Sequence, residues 1–235
     1  MCYAMSGRSV SSYVLNGVLE LSRASFIIFV FTAINIAIAI VDALSPIEVS
    51  VRYGKAGLEM LIKGSSTSLC LEIALSLVAA IGFVSTLSSY FYTALEILIQ
   101  SADNEKRRKG FERLFRTALA MYLISVVSSC AGYIELSTHL EELYQGKPIA
   151  LGTVSTVLCG VIPIVLGLGG DLFMALLLAS LRRIVNEGLL VFAGLLLIFT
   201  SMYPEAYPLA WLAVFLAFRR ALTRLSRSLS TYAKI

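Results

Sequence analysis

The residue best placed to do chemistry in this chain is Asp171. It ends the stretch Gly160-Val161-Ile162-Pro163-Ile164-Val165-Leu166-Gly167-Leu168-Gly169-Gly170-Asp171. Pro163 has no amide hydrogen, so the carbonyl of Cys159 is expected to lose its helical partner. Gly160, Gly167, Gly169 and Gly170 weaken the same helix further. An interrupted helix can line a cavity with its freed carbonyls. Pro163, Gly167, Gly169, Gly170 and Asp171 are therefore candidates for a substrate or ion site. The competing reading is a kinked helix whose glycines permit close packing. A count of about 20 residues from Ile149 then leaves Asp171 solvated at the cytoplasmic interface.

Leu166–Asp171 also resembles the Gly-x-Gly-Asp signature of the intramembrane aspartyl proteases and prepilin peptidases, with Leu168 where the signature has Gly. The resemblance covers six residues. It implies a second membrane aspartate, because in those families two close carboxylates share one proton and act as acid and base. Asp42 is the other aspartate in an apolar segment. The topology derived below puts Asp42 and Asp171 on opposite faces, separated by roughly the thickness of the hydrocarbon core.

A second polar group is Glu135, His139 and Glu142. Their spacings of four and three put them on one face of a helix. A histidine among carboxylates can take a divalent metal or pass protons. The same residues are equally the wetted end of a helix leaving the membrane, and no metal site is expected. Glu72 and Glu96 bracket one long apolar run, and Asn35 lies midway along another. Intramembrane carboxylates mark function when buried, whereas a single amide is more often packing glue between helices. Cys2, Cys70, Cys130 and Cys159 have no CxxC spacing. The last three are expected in one half of the bilayer, as free thiols unless two of them face each other.

These residues must be carried by membrane helices. Apolar residues make up 58% of the 235 and charged residues 14%. That apolar surplus exceeds what a core of this size can bury. About 20 apolar residues span a core of about 30 Å, and each span must be helical to satisfy its own backbone. Six runs qualify: 24–44, 69–99, 117–138, 149–170 with an extension to 181, 188–203 and 206–220. The expected fold is thus all-α, a single-domain polytopic bundle of about six transmembrane helices. Cys2 follows Met1 directly, without the apolar core of a secretory leader, so no cleaved peptide is expected.

Charge placement gives the orientation. With the N-terminus inside, 15 of the 19 Lys and Arg residues fall in cytoplasmic segments, including Lys106–Lys109, Arg182, Arg183, Arg219 and Arg220. Arg52, Lys55, Lys63 and Lys147 fall outside. This is the positive-inside bias of an N-in, C-in protein. The last two runs flank the turn at 203–208 and could instead form a re-entrant hairpin. Two full crossings are favoured, because lipid-exposed backbone at a hairpin tip inside the core would be costly and because Tyr203, Tyr207 and Trp211 resemble an interfacial aromatic belt. The loop Ser45–Ser68, with Pro46, Gly54, Gly57 and Gly64, has room for a short helix. Val10, Val14, Val18 and Leu21, and likewise Leu222, Leu225 and Leu229, recur at helical spacing, so the chain ends lie on the interface or continue the adjacent spans.

The basic residues serve the membrane surface rather than nucleic acid. The lipid bilayer is the expected partner, with further membrane subunits or a second copy as candidates, and no cofactor is implied. Three function classes remain: a non-enzymatic accessory or scaffold subunit, which the lack of any catalytic motif favours; a small transporter or channel built around Pro163–Asp171; and an intramembrane aspartyl protease.

Overall fold

Long apolar stretches without interior charges become long helices, and the computed structural model is overwhelmingly helical. It describes residues 2–54, 57–100, 105–203 and 205–232, with side chains described between 13 and 227. Lys55, Pro204 and Lys234, and the side chains of Cys2, Arg8, Val10 and Leu229, lie outside the described residues.

Helix α1 (Cys2–Leu44) is one unbroken rod, so the amphipathic start of the chain continues the first span. Helix α2 runs over Ser66–Ile99, α3 over Glu105–Ser137 and α5 over Thr153–Val185; a short α4 (Leu140–Tyr144) lies between the last two. The bundle is completed by α6 (Leu189–Thr200) and α7 (Tyr207–Tyr232). Four described helices are long and apolar enough to cross a membrane: α1 over Tyr13–Leu44, α2, α3 and α5. Helix α6 has 12 residues, about 18 Å at 1.5 Å per residue. That is well short of a core about 30 Å thick.

The loop expected to hold a short helix is a β-hairpin. Strand β1 (Glu48–Gly54) pairs antiparallel with β2 (Gly57–Lys63), closing on Gly54 opposite Gly57, and β2 pairs with β3 (Ile149–Leu151). Val49, Val51 and Tyr53 alternate with polar residues, the period of a strand with one apolar face. On that face Ile62, Ile149 and Leu151 are buried against Leu69, Leu136 and Leu143, so the sheet caps one end of the bundle. The expected span at 149–170 accordingly starts later, at Thr153, because Ile149–Leu151 is taken by the sheet.

Helix α5 is not interrupted as expected. A wide π turn at Val157–Val161 precedes Pro163 and absorbs the missing hydrogen bond within a continuous helix. Carbonyls near the proline are satisfied from α3. Ser128 Oγ donates to the Leu158 carbonyl and Ser125 Oγ to the Pro163 carbonyl, each at 3.0 Å. A second π turn, Leu87–Phe91, sits in α2.

Packing joins α1 to α7 and α2, α3 to α5, and α6 to both α5 and α7. The main core lies toward the end away from the sheet. The connection from α5 to α6 turns at Asn186, whose left-handed backbone (φ 54°) caps α5. Next to it the buried Glu187 carboxylate takes an ion pair from Arg224 at 2.8 Å, with Arg220 at 3.9 Å. These contacts tie the base of α6 to α7.

Candidate functional site

Asp171 lies near the middle of α5 and is only 3% exposed. The expectation of a solvated interfacial carboxylate is therefore overturned. The helix begins at Thr153 and runs on to Val185, and the residues facing Asp171 come from the centre of the bundle. Tyr122 of α3 and Tyr207 at the start of α7 each donate a hydroxyl hydrogen bond to Asp171 Oδ1 at 2.6 Å. Charge-assisted bonds of this length are among the stronger ones a protein makes, and they offset part of the cost of burying the carboxylate.

The glycines explain how Tyr122 gets so close. A Cβ on Gly170 would stand 2.7 Å from the Tyr122 ring, and one on Gly169 would stand 2.8 Å from Met121 Sδ. These two positions are packing sites for α3. Gly167 differs, with nothing within 4 Å of its missing Cβ, and it lines a cavity.

That cavity has a volume of about 290 Å³. Asp171, Pro163, Gly167, Tyr122 and Tyr207 face it, along with Thr32, Asn35, Ser76, Ser125 and Ser201. Its lining contains one carboxylate and no Lys or Arg. The donors available to an occupant are hydroxyl, amide and carboxylate oxygens, which suit hard cations and ammonium groups rather than soft metals. Asn35, expected as glue between helices, lines this space instead.

A second cavity of about 450 Å³ lies on the sheet side, and Asn35 and Ser76 line both it and the first. Asp42, Glu72 and Glu205 line it together with Ile47, Val49 and Ile62 beneath the sheet. Glu72 Oε1 is buried without a hydrogen-bond partner among the described residues. On the other side of Asp171 the bundle is shut by aromatic rings. Phe83 packs edge-on against Tyr122 and Trp211 at centroid distances of 5.0 and 5.7 Å, and Phe91 stacks on Phe115 at 5.9 Å. Trp211 is fully buried and Tyr207 holds Asp171, so neither belongs to the expected interfacial belt. Only Tyr203 of that trio is well exposed.

The other candidates separate. Helix α3 ends at Ser137, so the continuous helical face assumed for Glu135, His139 and Glu142 does not exist. His139 Nδ1 lies 3.5 Å from Glu142, while Glu135 is exposed on α3 with its carbonyl accepting from Thr138. Among the described residues no three His, Cys, Asp or Glu side chains come together as a metal set. Asp42 accepts from the Ile47 amide at the sheet end and lines only the second cavity. Asp171 has two tyrosines where an aspartyl dyad would need a second carboxylate. Cys70, Cys130 and Cys159 are free.

Tyr122, Tyr207, Ser76 and Ser201 are functional candidates that the sequence reading missed. Their signal was weak: lone hydroxyls in apolar runs, which read as ordinary helix contacts. Compared with known proteins, the chain matches no family model, no curated protein and no solved structure.

Proposed function

We propose that this chain is a small transporter or channel for a monovalent cation, either a small organic ammonium or a hydrated alkali ion, with Asp171 as the anionic centre of its binding cavity. The observation that carries the reading is the position of Asp171, inside the bundle, on a largely apolar cavity that offers a few hydroxyl and amide oxygens and no basic side chain to neutralise it. Ionisable groups at membrane depth are costly and are kept for a task. A cation entering the cavity would supply the missing countercharge. The Tyr122 and Tyr207 hydroxyls orient the carboxylate, and Ser125, Ser201, Thr32 and Asn35 offer further oxygens.

The same reading sets the topology. Helices α1, α2, α3 and α5 cross the membrane, with both chain ends and the basic clusters on the cytoplasmic side. Helices α6 and α7 enter from that side as a hairpin. Its tip brings Tyr207 to Asp171 and carries Glu205 just beyond, to the cavity under the sheet. This replaces six crossings by four and a half-depth hairpin. Ser201, Glu205 and Tyr207 of the tip line the two cavities, the setting in which non-helical backbone is tolerated at membrane depth. The cavity under the sheet, with Asp42, Glu72 and Glu205, is then the outer approach, and the Phe83–Trp211 rings close the cytoplasmic side. The accessory-subunit reading rests on the lack of a catalytic motif and on a scarcity of charges inside the bundle, and the buried Asp171 and Glu187 weigh against the second ground.

The test is flux through proteoliposomes holding the purified chain. Uptake of radiolabelled methylammonium, rubidium or sodium is compared between the parent and Asp171→Asn. The proposal expects uptake of at least one of these cations, lost in the variant. Equal fluxes in protein-free, parent and variant liposomes would overturn it.

A further inference from the structure

A sheet edge is a template for another strand, and proteins usually blunt it. Strand β1 is an edge of the three-stranded sheet, and its outer side pairs with no other strand among the described residues. It is seven residues long and exposed almost throughout, including Val49 and Val51 at 56% each and Tyr53 at 86%. No proline or lysine interrupts it. Three apolar side chains left open on an unpaired edge call for an occupant.

The sequence of the strand says which occupant fits. Glu48-Val49-Ser50-Val51-Arg52 is complementary to itself when read backwards. We propose that β1 pairs antiparallel with β1 of a second copy about a two-fold axis at Ser50, joining two three-stranded sheets into one. Glu48 then stands opposite the partner's Arg52, Val49 opposite the partner's Val51, and Ser50 opposite the partner's Ser50. A closed two-fold contact repeats each pair, so both charges of each chain find an opposite charge. Shifting the register by one residue would place valines opposite charged or hydroxyl side chains and turn apolar residues to the wrong face.

The faces agree as well. Residues directly opposite in an antiparallel pair point to the same side of the sheet. Val49 pairs with Ile62 within the chain, so Val49 and Val51 lie on the face that packs on the bundle. Arg52 shares the other face with Glu59, its ion-pair partner at 3.4 Å. In the dimer the valines of both copies extend one apolar face, while Glu48 and Arg52 extend one charged face. Both bundles hang from the same side of the joined sheet, as two copies with equal sidedness in one bilayer require.

Charge exchange and cross-linking in native membranes test this, in a chain with the exposed Cys70 replaced by Ala. Ser50→Cys, which sits on the axis, is expected to give a disulfide-linked dimer under mild oxidation. Leu61→Cys lies one strand further away on each copy and is expected to stay monomeric. Adding Glu48→Arg, or separately Arg52→Glu, sets like charges opposite each other and should cut the Ser50→Cys dimer about tenfold. Coexpressing these two variants restores opposite charges across both pairs, so a mixed dimer should form in excess of the reduced homodimer that either variant gives alone. The heterodimer also shows that each altered hairpin is folded. Equal cross-linking at positions 50 and 61, a cross-linked product containing a different protein, or no mixed dimer on coexpression would each overturn the proposal.

Discussion

Replacing Tyr122 by Phe removes one hydroxyl and leaves the ring between Phe83 and Gly170. The lost contact is the 2.6 Å bond to Asp171 Oδ1. A hydrogen bond to a charged, buried group contributes about 1.5–3 kcal/mol, and bonds between membrane helices fall toward or below the lower end of that range. Because Tyr207 donates to the same oxygen at the same distance, Asp171 keeps one donor, and Tyr122→Phe should cost about 1–2 kcal/mol. In an Asp171→Asn background the acceptor is neutral, and the same change should cost under about 0.7 kcal/mol. The coupling energy between positions 122 and 171 is therefore expected near 1 kcal/mol. Removing both tyrosine hydroxyls leaves the carboxylate without either donor and should cost more than the sum of the single changes. The assay is reversible unfolding in mixed micelles at increasing SDS fraction, followed by Trp211 fluorescence, for all members of the cycle. An equal cost of Tyr122→Phe with Asp and with Asn at position 171 would refute the account, because the tyrosine would then act through packing alone.

Three further outcomes follow from the geometry. Gly170→Ala forces its new methyl against the Tyr122 ring and should destabilise by about 1–3 kcal/mol, whereas Gly167→Ala faces open space and should stay within about 0.5 kcal/mol of the parent; thermal unfolding of the two purified variants decides. Arg224→Ala leaves Glu187 buried with only the more distant Arg220. It should cost about 1–2 kcal/mol, discounted because Arg224 is half exposed, and adding Glu187→Gln should recover most of that loss in the same unfolding assay. A spin label at Met202, 72% exposed at the hairpin tip, should collide with oxygen more than with a water-soluble nickel complex. That pattern marks the bilayer interior, and the reverse ratio would restore two full crossings for α6 and α7.

The apolar runs by themselves determined that this is a helical chain with several helices long enough to span a bilayer, and each long helix overlaps its expected run, α1 and α3 starting well before theirs. The reason is local: a charge-free stretch of some twenty residues has few other ways to satisfy its backbone in lipid. The hairpin at Glu48–Lys63 was also local, written in the alternation of Val49, Val51 and Tyr53 ahead of Gly54 and Gly57, but Pro46 and the glycines give the same segment the composition of a loop. Asp171 was singled out from type and neighbours alone. Its surroundings could not be read that way. Whether Pro163 breaks a helix depends on a π turn and on two serines of α3 that reach its carbonyls. Whether Tyr207 is an interfacial ring or a ligand of Asp171 depends on α6 being only 12 residues long, which brings the start of α7 down to the middle of α5. Tyr122, Tyr207 and Asp171 are separated by 49 and 36 residues in the chain. Only packing brings three such positions to one cavity, because side-chain contacts at that separation are set by which helices are neighbours and at what height, and no local periodicity encodes either.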